Sequence, residues 1–326
     1  PPSRRAYALG VWGTIGALTG LCGSPLSAGM IEFFNWQAIF VLTGGFSLLI
    51  LIAGFIVLSD EQEGSSQLPI DWFSAFIAVV AVGGLTLFLV QGQEWGFSSP
   101  ATILCLCISI LSVPLLVKRN RTQTHPLFPR AIFAQRSFTV GATGSGLCQI
   151  GFFSIYFGLP LYMREVWSWS PLKIGFALIP LNIIPLLTAA VAGKIVDRQG
   201  PRPMVIFGGI WSGVSFLVIG FFLMEAGYAL FALGLLVSGL GAMAIGNNTT
   251  IATLIDIEDD LLASASSASY TVRRLGSALG AVLTASILGN RLGSDFKDVY
   301  IWVWILGASS YLLGSLITYL YYPRRD

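Results

Sequence analysis

The side chains in this sequence that could do chemistry lie mostly inside apolar runs, and their spacing points to recognition of a molecule rather than to breaking its bonds. Gln149 and Tyr156 stand seven residues apart on one helical face, with Phe152 and Phe153 bracketing the stripe. An amide and aromatic wall of this kind suits apolar, planar or cationic molecules, held by buried area and cation–π attraction. Packing or lipid-facing aromatics would give the same pattern. Asn182 lies between Pro180 and Pro185, and in a bent helix with freed carbonyls it would sit at a cavity or a hinge. Asn247 and Asn248 fit either a cavity lining or hydrogen bonds between helices. Arg273 and Arg274 lie about ten residues into their apolar run with no acidic neighbour on it, which makes them the costliest residues to bury. In one reading Arg274 lines a central cavity opposite a carboxylate from another helix; in the other the two side chains snorkel to the membrane surface.

Groups for covalent or metal chemistry do not assemble. The single histidine, His125, precedes Pro126 in a polar stretch, and the sequence has no H-E-x-x-H, intramembrane acid pair or phosphate-cradling glycine loop. An enzyme, a metal site and a bound cofactor are therefore not expected. Cys22, Cys105, Cys107 and Cys148 all fall in apolar runs, where a free thiol acts as a small hydrophobe. Proton coupling needs a buried carboxylate that titrates near neutrality, and no apolar run holds one at mid-depth: Asp71 and Glu225 stand at the ends of theirs.

The elements that would position these groups follow from composition. Of 326 residues 55% are hydrophobic, against 18 basic and 16 acidic ones. The mean hydropathy is +0.77, outside the range of soluble domains. A formal charge of +2, scattered along the chain, offers no surface for nucleic acid. Apolar runs near 6 to 31, 37 to 58, 70 to 92, 99 to 117, 137 to 163, 174 to 196, 204 to 224, 229 to 253, 263 to 289 and 300 to 322 are each long enough to span a bilayer. Segments of this length must be helices, since each backbone polar group in hydrocarbon needs a partner within its own segment. The fold class is thus an all-α polytopic membrane protein of about ten transmembrane helices. Twelve of the 18 Lys and Arg residues fall in loops on one side, so the positive-inside rule puts both ends of the chain in the cytoplasm. Two polar connections, 59 to 69 and 118 to 136, flank a helix pair and divide the spans into two, two and six. The opening Pro1-Pro2-Ser3-Arg4-Arg5, without Met or a signal-peptide pattern, reads as the later part of a longer polypeptide.

Two motifs carry more information. Between the second and third spans of the six-span block comes Gly193-Lys194-Ile195-Val196-Asp197-Arg198-Gln199-Gly200-Pro201-Arg202. A short turn reverses the chain here, with Gly200 free to take a left-handed conformation and Asp197 able to cap a neighbouring helix. The order G-x-x-x-D-R-x-G-x-R resembles the signature loop of the major facilitator superfamily, departing from it at Pro201, where that family has a basic residue. In the first span, Gly20-x-x-x-Ser24-Pro25-x-x-Ala28-Gly29 makes a smooth face for close approach of another helix. It is similar to the antiporter motif of that superfamily's proton-coupled exporters, with Ser24 and Ala28 in place of glycines. Asn35-Trp36-Gln37-Ala38-Ile39-Phe40, Pro69-Ile70-Asp71-Trp72, Pro126-Leu127-Phe128-Pro129 and Ala265-Ser266-Ser267-Ala268 extend the likeness to the fourteen-helix drug:proton antiporter family along essentially the whole chain.

The resemblance implies a major-facilitator-type bundle, with 1–58 as the last two helices of an N-terminal bundle, 59–136 as linkers and a central hairpin, and 137–326 as a complete C-terminal bundle. It implies four further N-terminal helices of the same polypeptide as partners, together with the lipid bilayer and a small hydrophobic or amphiphilic substrate. A proton gradient would supply energy, a cavity between the two halves would bind cargo, and Gly193, Asp197, Arg198, Gly200 and Arg202 would gate it, Asp197 latching near Arg4 and Arg5. Export across a bacterial cytoplasmic membrane is the implied activity. Import on the same fold, or a truncated subunit that does not transport, are the alternatives.

Overall fold

A computed structural model describes residues 5–57, 71–123, 129–289 and 296–323. Helices α1 (Arg5–Phe33) and α2 (Gln37–Val57) come first, followed by a hairpin of α3 (Trp72–Trp95) and α4 (Pro100–Thr122) and a short α5 (Arg130–Ala134). The remaining chain forms α6 (Arg136–Glu165), α7 (Pro171–Ala177), α8 (Ile179–Gln199), α9 (Pro201–Val218), α10 (Tyr228–Ile245), α11 (Asn248–Leu254), α12 (Leu262–Gly289) and α13 (Phe296–Tyr321). No strand occurs among the described residues. Among the described residues eight segments are long and apolar enough to cross a membrane, which makes this a multi-pass membrane protein. The ten expected spans all appear as long helical segments; α1 and α12 have the length but are not among those eight, and α12 carries Arg273 and Arg274.

Two expected spans are not continuous. The run expected at 174 to 196 extends from Pro171 to Gln199 and breaks at Leu178, where Pro180 in the first turn of α8 supplies no N–H to carry the ladder through. The run at 229 to 253 breaks at Gly246, whose φ of −3° and ψ of −114° end α10 before α11 begins. Five residues after α9, Ile219–Leu223, widen into a π-helical turn.

α6 is the axis of the C-terminal group, with α12 and α13 along its sides, α9 against α13, and α10 across α8 and α9. Glycines allow this. Leu159, Met163, Ile219, Phe231, Leu235, Val303 and Trp304 fill the core. Tyr162, Trp167, Phe231, Tyr300 and Trp304 form an edge-and-face aromatic cluster at the end away from Gly200, where the Tyr300 hydroxyl donates to Glu165 at 2.8 Å. In contrast, α2 has no buried residue. All four cysteines are free, and Cys148 lies in the core.

The second connection is shorter than expected at 118 to 136, because α4 continues through Arg119 to Thr122. Arg119 turns back onto the start of α3. Its Nη2 donates to Asp71 Oδ1 at 2.9 Å and its Nε to Oδ2 at 3.1 Å, while the guanidinium lies 4.8 Å from the Phe73 ring centre. Asp71 also caps α3 by accepting the Ser74 N–H at 3.1 Å. The hydrogen-bonded Arg119 guanidinium, with help from Ser74, holds the Asp71 carboxyl well below the usual carboxylate range. A lowered pKa means the clasp contributes above the unfolded carboxylate's pKa and is lost only as pH falls through the folded one. Its contribution should therefore be constant between pH 5 and 8. Asp71→Asn, which keeps the shape and removes the charge, is expected to lower the thermal unfolding midpoint by the same amount at both pH values; a difference that vanishes at pH 5 would refute this assignment.

Candidate functional site

The antiporter-like stripe of α1 meets the C-terminal group along α7 and α8. Gly20 faces Asn182: a Cβ built on Gly20 would stand 3.2 Å from Asn182 Oδ1. One turn on, the Ser24 hydroxyl shares a hydrogen bond of 3.1 Å with the Tyr156 hydroxyl of α6. Ala28 is buried, and a Cβ on Gly175 of α7 would stand 2.7 Å from the Ala28 Cβ and 2.8 Å from the Ser24 carbonyl oxygen. Gly29 lies near Leu172. At the tip of α1, Glu32 accepts the Leu172 N–H at 2.8 Å in the first turn of α7, beside the Ser170 cap. Pro25 lies inside α1 without ending it. These contacts run from mid-helix to the end opposite Gly200, where α1 and α7 lie against each other.

Tyr156 links α6 to α1 in this arrangement. The Phe152 ring stacks on it at 5.3 Å and 16°, and Phe153 meets Phe152 edge-on at 5.5 Å. Behind this pair, against Ser212, Phe216 and Tyr311, remains a void of about 10 Å³, room for a water molecule and nothing larger. Gln149 is half-buried, its Cβ beside Gly276 of α12. The structure thus brings together Ser24, Gly20, Asn182, Phe152 and Tyr156 on facing helices, an association that sequence spacing within one helix could not display.

Other candidate residues are placed apart from this cluster. Asn247 is exposed at the α10–α11 break, whereas Asn248 is buried and donates to the Ala244 carbonyl at 3.0 Å, holding the broken end of α10. Arg273 is half-buried and donates to the Thr250 hydroxyl of α11; Arg274 is exposed, with no partner among the described residues. In the signature loop Gly200 has φ +75° and ends α8, as a turn between packed helices requires. Arg202 is tied to α13, its Nη2 donating to the Tyr319 carbonyl at 2.8 Å. Asp197 and Arg198 are exposed, and a Cβ at Gly193 would meet nothing within 4 Å. Arg4 and the side chain of Arg5, the expected partners of Asp197, lie outside the described residues. Sequence reasoning missed Glu32 and Gly175; the acid at the end of the first span and the Ser-Pro start of α7 were the available signals.

A bundle of membrane-spanning helices with an aromatic and amide wall set against a small-residue helix defines a polytopic all-α membrane protein. Residues 141–326 match the Major Facilitator Superfamily, and the chain belongs to that family. It is 24% identical over 300 residues to the tetracenomycin C resistance and export protein of Streptomyces glaucescens, a match covering 91% of this chain and 55% of that protein. It is 24% identical over 295 residues to the multidrug export protein EmrB of Escherichia coli K12, covering 89% of this chain and 57% of that protein. Citrate exporter 1 of Yarrowia lipolytica is 28% identical over 299 residues, covering 87% and 44%. The chain thus spans about half the length of the curated relatives it matches.

Proposed function

We propose that the full-length protein is a secondary active exporter of hydrophobic or amphiphilic small molecules, driven by a proton gradient, in a bacterial cytoplasmic membrane. The observation that carries this reading is the hydrogen bond between Ser24 and Tyr156. It joins the small-residue stripe of one helix group to the aromatic wall of the other. Movement of the groups about this junction would alter both the wall and the seal, as alternating access demands. The names of the relatives, exporters of tetracenomycin C and of multiple drugs, agree with an outward direction. By the charge count both ends of the chain face the cytoplasm, which makes the end where α1 and α7 meet the outer one. Residues 1–58 would then belong to the N-terminal bundle, whose further helices complete the cavity and supply the proton-binding acid.

The test is accumulation of a lipophilic cationic dye in cells making the full-length protein. An exporter lowers accumulation, and an uncoupler removes the effect; raised accumulation would indicate import, and no change would indicate a subunit that does not transport. Tyr156→Phe, which keeps the ring and loses the hydroxyl, should reduce efflux about threefold at equal abundance, the worth of one hydrogen bond between membrane helices. Efflux equal to that of the unaltered protein would remove Tyr156 from the mechanism.

A further inference from the structure

Gly20, Ser24, Ala28 and Glu32 follow one another at four-residue spacing along α1 and so share one face of the helix. Each meets the C-terminal group: Gly20 faces Asn182, Ser24 bonds to Tyr156, Ala28 packs against Gly175, and the Glu32 carboxylate accepts the Leu172 N–H at 2.8 Å. The first three are small, and small side chains let helices approach closely without fixing how far along each other they sit. Glu32 differs in kind. Its carboxylate is a directional, charged acceptor, and it reaches a backbone group 140 positions away in the sequence.

Neither partner has an alternative among the described residues. Leu172 follows Pro171 in the first turn of α7, where its N–H has no carbonyl of its own segment to bond. Ser170 serves the next two residues instead, its hydroxyl accepting from the Lys173 N–H at 3.4 Å and its carbonyl from the Ile174 N–H at 3.0 Å. Glu32 makes no ion pair there, and no basic residue lies in the last turn of α1. The neighbouring Lys173 is held elsewhere, its ammonium 3.9 Å from the Trp169 ring centre. Because the helix breaks at Leu178, the course of α8 does not fix the direction of α7, and its own contacts must.

We propose that Glu32 is a positioning residue of the transport cycle: it fixes α7 against α1 in this conformer and releases it when the two helix groups part. The assignment rests on the transporter reading given above. Glu32 is exposed, so on release both carboxylate and N–H exchange this bond for bonds to water, and the latch holds one conformer without making it permanent.

The test needs no transport. Ala28→Cys, in the full-length protein freed of its other cysteines, places a thiol at a buried position of the junction. Its rate of alkylation by a membrane-impermeant maleimide reports whether α1 and α7 stay together. Glu32→Ala should raise that rate about fivefold or more at unchanged membrane abundance. Glu32→Gln, whose amide oxygen accepts the same N–H, should bring it back to within about twofold of the unaltered residue. Equal rates with all three residues, or a glutamine rate as high as that with alanine, would overturn the proposal. Gly29→Cys, where a Cβ meets Leu172 at 3.7 Å, repeats the measurement should a cysteine at position 28 disturb the packing. Intact cells and inverted vesicles are labelled in parallel: the side from which the thiol is reached tests the orientation on which the transporter reading depends, and the ratio between variants tests Glu32.

Discussion

Gly175→Val is expected to abolish gradient-driven efflux while leaving the C-terminal helix group folded. A Cβ at this position would stand 2.7 Å from the Ala28 Cβ, 2.8 Å from the Ser24 carbonyl oxygen and 3.0 Å from the Pro25 Cα. Two of those atoms are α1 backbone, so no side-chain rotation relieves the collision, and α1 must move off α7. Overpacking of this kind costs about 1–3 kcal/mol. Applied to one side of an equilibrium between a sealed and an open junction, it changes their ratio by roughly 5- to 150-fold. The cost falls on the junction because α7 meets α1 there, while the core residues of α6, α9, α10 and α13 are untouched. Dye efflux and membrane abundance, measured together, separate the two effects. Gly175→Ala should show an intermediate loss. Wild-type efflux from the valine variant would mean that the α1–α7 contact is not part of the transport cycle.

What the sequence displayed of this molecule was set by range. Apolar runs depend on neighbours in the chain, and they located every long helix to within a few residues. The turn at Gly200 was legible for the same reason, since a glycine between charged residues and a proline is a local signal. The breaks at Leu178 and Gly246 were less visible: each lies inside an apolar run, where hydropathy does not register a change of backbone angle. Contacts between distant segments were not legible at all. Asp71 and Arg119 are 48 residues apart, and Ser24 and Tyr156 are 132 apart. Each was recognisable as a polar group at or within a span, but their pairing is decided by how helices cross. Arg273 and Arg274 show what a cost argument can and cannot separate. Burial expense marked Arg273 and Arg274 together, but it could not tell that Arg273 is the half-buried one and that it donates to the Thr250 hydroxyl on another helix, while Arg274 is exposed.

The largest loss of stability should come from Gly276→Val, where α12 crosses α6. A Cβ there would press on the Gly146 carbonyl, 3.1 Å from its carbon, and stand 3.3 Å from the Gln149 Cβ. One turn later Gly280 repeats the arrangement against Ile150, 3.1 Å from both its carbonyl carbon and its Cα. Two successive close approaches fix α12 to the axis of the bundle, as small residues at this spacing do where lipid offers no hydrophobic drive to helix association. Valine must separate the backbones, at a cost expected to reach about 3 kcal/mol, a large part of a marginal folding free energy of about 5–15 kcal/mol. Membrane abundance and the thermal midpoint should both fall sharply. Gly193→Ala supplies the contrast, since a Cβ there meets nothing within 4 Å. Alanine in a helix is about 0.5–1 kcal/mol better than glycine, so stability should hold or rise slightly. If Gly193→Ala nevertheless lowers efflux, the signature glycine acts in a conformer other than this one, where another helix approaches α8. If Gly276→Val folds as well as the unaltered protein, the α6–α12 crossing is not what holds the bundle together.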